Sequence, residues 1–216
     1  MLITFEGIEG SGKSTQAKRL RDWLQKRDIP CLLTREPGGT DIGKQIRRVL
    51  LDPSHIAMSP MTELLLYMAD RAQHLAELIL PELALGKLIL CDRFFDATTV
   101  YQGIARQIDM KTIMMLHSIV LADLTPTKTI LFDLPVEHGL ARAWKRIHAD
   151  QSEQNENRFE KESIQFHEQV RKGYLELANK SPDRFIIIDA GQPEMHVFKN
   201  IVSIVDRIIL NSSDDP

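Results

Sequence analysis

A glycine-rich stretch near the start of the chain has the composition and spacing of a phosphate-binding loop. The segment FEGIEGSGKST, residues 5–15, contains the pattern G-x-x-x-x-G-K-(S/T) beginning at Gly7. Glycines let backbone N–H groups converge on an anion, and a helix beginning near Lys13 adds the positive end of its dipole. We expect Lys13 to contact the β- and γ-phosphates of a nucleotide and the Ser14 hydroxyl to ligate Mg²⁺. The predicted loop residues are Gly7, Ile8, Glu9, Gly10, Ser11, Gly12, Lys13, Ser14 and Thr15.

Two other stretches place an arginine where an apolar, strand-like run ends. In TREPGGT, residues 34–40, Arg35 comes first and a glycine pair then allows a tight turn. In LILCDRFF, residues 88–95, the run ends in Asp92 and Arg93. A carboxylate at this position suits contact with Mg²⁺, in part through water, and the neighbouring arginine suits a second phosphate. An ordinary loop arginine and a strand-end ion pair are the structural alternatives.

A third stretch is compatible with a platform for a planar base. In LLLYMADRAQH, residues 64–74, Tyr67, Arg71 and His74 lie at i, i+4 and i+7 and therefore on one stripe of a helix. A tyrosine at the edge of the core fits this pattern equally well, so the stripe alone is a weak signal. We interpret His74 as structural.

A fourth, basic stretch lies close to a polar interruption of the chain. In ARAWKR, residues 141–146, the cations Arg142, Lys145 and Arg146 occupy i, i+3 and i+4 of a predicted helix. The segment 148–157 that follows is polar and separates two charged helices, as a mobile flap would. The basic face is therefore either solvated surface or part of a lid that closes on phosphates.

The elements that must position these groups can be predicted from periodicity. Short runs that are apolar almost throughout predict strands of a parallel sheet covered on both faces, at Leu2–Phe5, Pro30–Thr34, Lys87–Cys91, Lys128–Phe132 and Arg184–Ile188. Helical patterns separate them, at about 13–27, 40–51, 60–80, 110–121, 136–148, 158–178 and 194–210. This alternation predicts an α/β fold with a doubly wound sheet, whose ligands bind at the carboxyl ends of the strands.

Composition limits the class of protein. The 216 residues suit a single domain over 1–210, with a lid at about 142–158 and a frayed tail at 211–216. A formal charge of −3 argues against a general nucleic-acid binder, and no apolar run approaches the ~20 residues that span a bilayer. The N-terminus lacks the shape of a signal peptide, and Cys31 and Cys91 sit in apolar runs as reduced thiols would. We therefore expect a cytoplasmic protein.

Together these motifs resemble the thymidylate kinase family of nucleoside monophosphate kinases. FEGIEGSGKSTQ, TREPGGT, LLLYMADRAQH, CDRFFDATTVYQG and RFEKESIQFHEQVRKGYLELA occur in the family's order and spacing. The phosphate loop is shared by many NTPases, whereas REPGGT and the DR…YQG stretch are far more specific. The resemblance implies ATP- and Mg²⁺-dependent conversion of dTMP to dTDP by a homodimer with a five-stranded parallel sheet and a helical lid.

The resemblance also implies roles at the sugar and the acceptor phosphate. Glu9 stands where the family carries an acidic residue near the 3′-hydroxyl. Arg35, Arg47 and Arg93 are expected to hold the phosphate of dTMP. Asp92 and Ser14 are the expected contacts of Mg²⁺, and the loop is expected to bind ATP.

Base recognition is implied at a second group of residues. Tyr67, at a position that is usually Phe, is expected to stack on thymine, while Arg71 and Gln102 hydrogen-bond the base edge. Tyr101 is expected to lie against the deoxyribose, where a 2′-hydroxyl would clash. An alanine replaces the small hydroxyl residue usual after Asp-Arg, which leaves Thr98 and the next threonine to supply polar contacts.

The family has two arrangements of its catalytic arginine, in the phosphate loop or in the lid. The segment EGSGK contains no arginine, so this chain resembles the lid type. Arg146 is the best candidate, with Arg142 beside it. The lid loop, residues 149–156, looks longer than in some members, and Asn157 stands where an aspartate is common.

Three alternatives remain open at this point. A kinase for another monophosphate or for dephospho-coenzyme A differs only in the predicted base contacts. A GTP-binding switch would read guanine with Asn-Lys-x-Asp after a strand, whereas NKSPD, residues 179–183, carries Pro182 at the acidic position and follows a helix. A mechanical ATPase would normally end its metal-binding strand in Asp-Glu, whereas here Asp92 is followed by Arg93.

Overall fold

The computed structural model describes residues 1–149 and 156–213, with side chains up to residue 210. Within these residues, parallel strands form one five-stranded sheet in the order β2-β3-β1-β4-β5. The strands are β1 Leu2–Gly7, β2 Cys31–Arg35, β3 Leu88–Asp92, β4 Lys128–Asp133 and β5 Phe185–Asp189. The predicted doubly wound α/β class is therefore confirmed, and every predicted strand is present to within two residues at each end.

Helices connect the strands in the alternation that a parallel sheet requires. They are α1 Lys13–Gln25, α2 Asp41–Leu51, α3 Pro60–His74, α4 Leu80–Ala84, α5 Phe95–Thr98, α6 Met110–Leu121, α7 Val136–Ala149, α8 Ile164–Lys180 and α9 Glu194–Ser213. Two π-helical segments, Leu75–Ile79 and Thr99–Ala105, follow α3 and α5 directly.

The helix starts follow local capping chemistry. Ser59 caps α3 by accepting a hydrogen bond from the backbone N–H of Thr62, with Pro60 in the first turn as the sequence predicts. Thr40 caps α2 in the same way through Gly43. These caps fix where α2 and α3 leave the sheet, and both helices carry residues of the site.

The helix predicted over 158–178 is wrong at its start. Residues 158–163 form turns, and α8 begins at Ile164 because Ser163 is its N-cap and accepts a hydrogen bond from Phe166 N at 3.2 Å. The predicted end at 210 is also short, since α9 continues to Ser213.

The region 95–105 is helical although its sequence did not predict a helix. Its β-branched residues and Gly103 disfavour a helix, yet α5 and the second π-helical segment run without a break through it. π-Helical segments are frequently found at functional sites. This one brings Tyr101 and Gln102 to the cleft described below.

The register of the sheet brings the polar strand ends together. Asp92 pairs in register with Phe5 of β1 and with Arg35 of β2. The buried residues of β1 pack with α1 and α8 in one core, which includes Leu20 and Val170. The rigid sheet therefore presents the phosphate loop, Arg35 and Asp92 at a single edge.

Two further expectations concern the chain as a whole. None of the helices in residues 1–149 and 156–213 is long and apolar enough to cross a membrane. Cys31 and Cys91 are both free thiols; Cys91 is buried and Cys31 is partly exposed.

Candidate active site

A cleft of about 560 Å³ opens at the carboxyl edge of the sheet. Most of the predicted site residues line it: Glu9, Gly10, Gly12, Lys13, Ser14, Thr15, Arg35, Arg47, Tyr67, Arg71, Asp92, Arg93, Thr98, Tyr101, Gln102 and Arg146. Gly7, Ile8 and Ser11 belong to the same loop but are buried and do not line the cleft. Arg142 does not line the cleft either.

The phosphate loop is closed around the side chain of Lys13. Its buried Nζ donates hydrogen bonds to the carbonyl oxygens of Gly7 at 2.9 Å and Ile8 at 2.6 Å. Burial lowers the pKa of Lys13 to about 7, and the nearby guanidinium of Arg93 acts in the same direction. A bound polyanion would oppose both effects, so phosphate binding stabilises the charged form of this lysine.

The loop also fits tightly against α7. Gly10 has a φ of 68°, and a Cβ at this position would lie 2.0 Å from the backbone oxygen of Gly139. Only glycine satisfies both the left-handed backbone and this close approach. The sequence pattern required glycines at Gly7 and Gly12, but this packing reason is visible only in the fold.

The predicted Mg²⁺ contacts are brought together. The Ser14 hydroxyl, at the start of α1, donates a hydrogen bond to the Asp92 carboxylate at the end of β3. A hydroxyl and a carboxylate oxygen at one point are the donor types that Mg²⁺ prefers. These two residues therefore fit the ion that the motif implies.

Arg93 lies at the centre of a charged cluster. Its guanidinium donates to Glu9 Oε1 at 2.8 Å and to the hydroxyl of Tyr174 at 3.3 Å. The Tyr101 hydroxyl donates to the same Glu9 oxygen at 2.6 Å, and His167 Nδ1 lies 3.2 Å from Glu9 Oε2. Burial acts to raise the pKa of Glu9, but Arg93 and His167 outweigh it, so the pKa is lowered and Glu9 is a carboxylate.

The backbone at Arg93 is held by a residue that the sequence motifs did not indicate. Arg93 has a φ of 69°, in the left-handed region that non-glycine residues rarely adopt. Glu6, fully buried on β1, accepts hydrogen bonds from Phe94 N and from the Tyr174 hydroxyl, both at 2.7 Å. Burial, with the neighbouring Asp96, raises the pKa of Glu6 to about 7.

Arg71 is buried at the base of the cleft. Its Nε donates to Glu36 Oε2 at 2.7 Å and its NH1 donates to Thr98 Oγ1 at 3.1 Å. His74 lies 3.0 Å from the other Glu36 oxygen and 2.7 Å from the Thr34 hydroxyl. The structural interpretation of His74 is consistent with this geometry, since the imidazole is fully buried and helps to hold Glu36.

Another buried carboxylate, Glu63, holds Gln102. Gln102 Nε2 donates to Glu63 Oε1 at 2.8 Å, and Arg158 NH2 donates to Glu63 Oε2 at 2.7 Å. Arg158, at the end of the predicted lid, is 9% exposed and bonded to α3. This side chain thus ties residue 158 to α2 and α3.

The two candidate arginines of α7, Arg146 and Arg142, have different surroundings. Arg146 lines the cleft and lies 3.8 Å from Glu160, whereas Arg142 NH1 donates to the backbone oxygen of Ala190 at 3.0 Å. Arg47 donates to Glu156 at 2.9 Å and to the Pro37 oxygen at 3.1 Å. Most of the predicted lid loop, residues 150–155, lies outside the described residues.

Sequence reasoning missed the carboxylates that orient the arginines. Glu36 directly follows Arg35, and Glu6 directly precedes Gly7, so both were visible within the motifs. Glu63 was hidden, because an acid in the first turn of a helix is explained by the helix dipole alone. His167 and Tyr174 lie on α8, far along the chain from the residues they contact.

Comparison with known proteins places this architecture in a family. A family model described as thymidylate kinase matches residues 5–201. Curated thymidylate kinases from Desulfosudis oleivorans and Desulforapulum autotrophicum are 51% and 54% identical, over 96% of this chain and 97% and 91% of their own lengths. A crystal structure of thymidylate kinase from Ehrlichia chaffeensis is similar with a TM-score of 0.74 at 31% identity, covering 95% of this chain and 98% of that one. The chain therefore belongs to the thymidylate kinase family.

Proposed function

We propose that this chain transfers the γ-phosphoryl group of ATP to dTMP, forming ADP and dTDP. The observation that carries the proposal is the cleft itself, which the phosphate loop and the base-contacting candidates Tyr67, Arg71 and Gln102 line together. Direct transfer requires that donor and acceptor be held side by side. Membership of the family supports the same reaction.

The chemistry of the acceptor explains why the cleft is rich in cations. A nucleoside monophosphate is largely dianionic near pH 7, because its second phosphate pKa is about 6. It needs no general base, and its difficulty is repulsion from ATP. Lys13, Arg35 and Arg93 all line the cleft and offset that repulsion. Phosphoryl transfer is mostly positioning and charge stabilisation, which these residues supply.

Ser14 and Asp92 would hold the Mg²⁺ that accompanies ATP. Their oxygens lie within hydrogen-bond contact of each other at the mouth of the loop. A bound Mg²⁺ neutralises charge on the β- and γ-phosphates. The fold itself fixes the positions of these two residues, since Ser14 lies in the first turn of α1 and Asp92 ends β3.

The acceptor nucleotide would extend from the arginines towards α3. We assign Arg35, Arg47 and Arg93 to its phosphate, because all three line the cleft. We assign the Glu9 carboxylate, which Arg93 and Tyr101 hold, to the 3′-hydroxyl as a hydrogen-bond acceptor.

The base would lie deeper in the cleft, between α3 and the π-helical segment. Tyr67 supplies an aromatic ring, and Arg71 supplies donors for a base carbonyl. Thr98, bonded to Arg71, is the polar contact left beside Ala97. The ring of Tyr101 would exclude a 2′-hydroxyl.

Arg146 is the lid arginine that we assign to the transferring phosphoryl group. It lines the cleft, whereas Arg142 on the same helix is bonded to Ala190. We therefore rank Arg146 above Arg142 as the catalytic residue.

The two rival functions, a GTP-binding switch and a kinase for a different acceptor, receive less support. NKSPD spans the end of α8 and the residues before β5, so it lies at the amino end of that strand rather than at the carboxyl edge where a guanine would bind. A kinase for another monophosphate or for dephospho-coenzyme A would need different contacts at Tyr67, Arg71 and Gln102.

We also infer a homodimer in the cytoplasm. Met114, Met115 and Ile119 of α6 are 57%, 57% and 70% exposed, and Leu65 of α3 is 50% exposed. Exposed apolar side chains of this kind on helices that contact each other favour a partner surface. The free thiols fit a reducing compartment. Sedimentation at several protein concentrations tests the dimer, and a monomer throughout would exclude it.

A panel of acceptors tests the function. ADP formation is measured with ATP, Mg²⁺ and each of dTMP, dUMP, dCMP, AMP and GMP. We expect dTMP to be preferred and dUMP to be a weaker substrate, because one methyl group in an apolar slot contributes only about 1–3 kcal/mol. AMP, dCMP or GMP turned over as fast as dTMP would refute the proposal.

A further inference from the structure

The amide of Gln102 is fixed in one orientation by the hydrogen bonds of its neighbour Glu63. Glu63, in the first turn of α3, is 1% exposed and accepts hydrogen bonds from Gln102 Nε2 at 2.8 Å and Arg158 NH2 at 2.7 Å. Arg106 lies 3.3 Å from the same carboxylate. Arginine side chains can only donate, so the Glu63 carboxylate acts as an acceptor towards both Arg106 and Arg158.

The acceptor role of Glu63 determines which group of the Gln102 amide faces the cleft. Because Glu63 can only accept, Gln102 must turn its NH₂ group towards it, and its carbonyl Oε1 is the group left to face the cleft. A reversed amide would set the Gln102 carbonyl against the Glu63 carboxylate, two acceptors at hydrogen-bond distance inside the protein. The structure thus selects an acceptor, rather than a donor, on this wall of the cleft.

Resting on the proposed function, we propose that Glu63 is a positioning residue that sets the base specificity of the site for an imide. Thymine and uracil carry an N3–H donor, which a Gln102 carbonyl accepts. Cytosine carries an acceptor at N3, which this carbonyl would repel. Glu63 does not line the cleft, so it acts on the base only through Gln102.

A neighbouring arginine supplies the matched control. Arg106 binds Glu63 and Glu162 and does not line the cleft. Arg106→Gln removes one cation but keeps Arg158 as a donor to Glu63, so the carboxylate remains an acceptor. The Gln102 orientation, and hence the base specificity, should then survive.

The test compares kcat/KM for dTMP, dUMP and dCMP in the parent and in Glu63→Gln. A glutamine at position 63 can donate as well as accept, so Gln102 is free to reverse. We expect the ratio of dTMP to dCMP to fall about tenfold or more, since a hydrogen-bonding site discriminates by leaving groups unpaired. The ratio of dTMP to dUMP should not change, because both bases carry N3–H. Arg106→Gln should keep both ratios at the parental values.

Each outcome decides between a specificity role and a structural one. Parental ratios in a folded Glu63→Gln, or equal changes in both ratios, would overturn the proposal. If that variant does not fold, Glu63→Asp retains the charge for the arginines but is one methylene too short for Gln102, and the same selective fall in the dTMP to dCMP ratio is expected. A parent that does not phosphorylate dTMP would instead refute the proposed function.

Discussion

At the scale of single residues, the site depends on buried carboxylates that hold arginines. Glu9 holds Arg93, and Glu36 holds Arg71, each through a hydrogen bond of 2.8 Å or less. A guanidinium fixed in this way loses less side-chain entropy when a ligand binds. The orientation of both cations is therefore set before the nucleotide arrives.

The residue types of the site could be predicted, but their partners could not. The loop, Arg35 and the Asp92-Arg93 pair lie in short motifs whose spacing implies their chemistry. Glu6 and Tyr174 are separated by 168 residues and meet only because α8 packs on β1. Contacts of this separation depend on the tertiary fold, so local patterns do not report them.

Arg93→Ala tests the role of that arginine in acceptor binding. We expect the KM for dTMP to rise by roughly 10- to 100-fold, because a charge-assisted hydrogen bond contributes about 1.5–3 kcal/mol. Arg171→Ala, which removes an arginine paired with Asp133 outside the cleft, is the control. Steady-state kinetics with varied dTMP measure both variants, and an unchanged KM for Arg93→Ala would remove Arg93 from the acceptor site.

Glu6 predicts a pH dependence of stability. Its pKa is raised from 4.5 to about 7 by burial and by Asp96, so the folded state holds a proton that the unfolded state has released between these values. The stabilisation is present below about pH 4.5 and is lost as the pH rises through about 7, with an upper bound on the order of 3 kcal/mol.

Glu6→Gln should remove this contribution. Urea unfolding at about pH 5 and about pH 8 gives the free energy of unfolding of each form. The parent should lose more stability over this interval than the variant, since the other titrating groups are common to both. Equal losses would show that Glu6 does not bind a proton on folding.

At the scale of elements, the close contact between the phosphate loop and α7 is open to a direct test. Gly10→Ala places a Cβ 2.0 Å from Gly139 O, so the loop must move and its N–H groups must separate. We expect the dissociation constant for ATP to rise about tenfold or more. Isothermal titration calorimetry measures it.

Gly86→Ala is the matched control for backbone strain. Gly86 also has a positive φ, of 75°, but a Cβ there meets nothing within 4 Å. This variant should lose about 1 kcal/mol of stability and bind ATP as the parent does. Parental ATP affinity in Gly10→Ala, or the same loss in both variants, would contradict the packing explanation.

The two arginines of α7 test the lid. An interaction made chiefly in the transition state lowers kcat and leaves binding nearly intact. We expect Arg146→Ala to lose at least about a hundredfold in kcat with dissociation constants changed only a few-fold. Arg142→Ala should lose less, because its guanidinium is bonded to Ala190. Single-turnover kinetics compare them, and parental rates in both would remove the lid arginines from the mechanism.

The elements also show where periodicity predicts structure and where it does not. The strands were predictable because β1 and β3 are buried along almost their whole length and consist largely of apolar residues, although β1 also buries Thr4 and Glu6. The helix at 95–105 was not, because Thr98, Tyr101 and Gln102 serve the cleft rather than a regular apolar face. Local patterns fail here because the residues are selected for the site.

At the scale of the whole molecule, the order β2-β3-β1-β4-β5 determines the position of the cleft. It places β1, with the loop, next to β3, with Asp92 and Arg93, and β3 next to β2, with Arg35. Side chains from three separate motifs thus converge because adjacent strands of one sheet carry them. This convergence is the physical basis of the central claim, that donor and acceptor meet in one cleft.

The most direct test follows the phosphoryl group itself. ATP labelled in its γ-phosphate is incubated with dTMP, Mg²⁺ and the protein, and the products are separated and identified. The account predicts that the label passes to dTDP, with one ADP formed for each dTDP and little ADP formed when dTMP is omitted. ADP and labelled inorganic phosphate without dTDP would contradict it, because the cleft would then hydrolyse ATP rather than transfer its phosphoryl group to an acceptor.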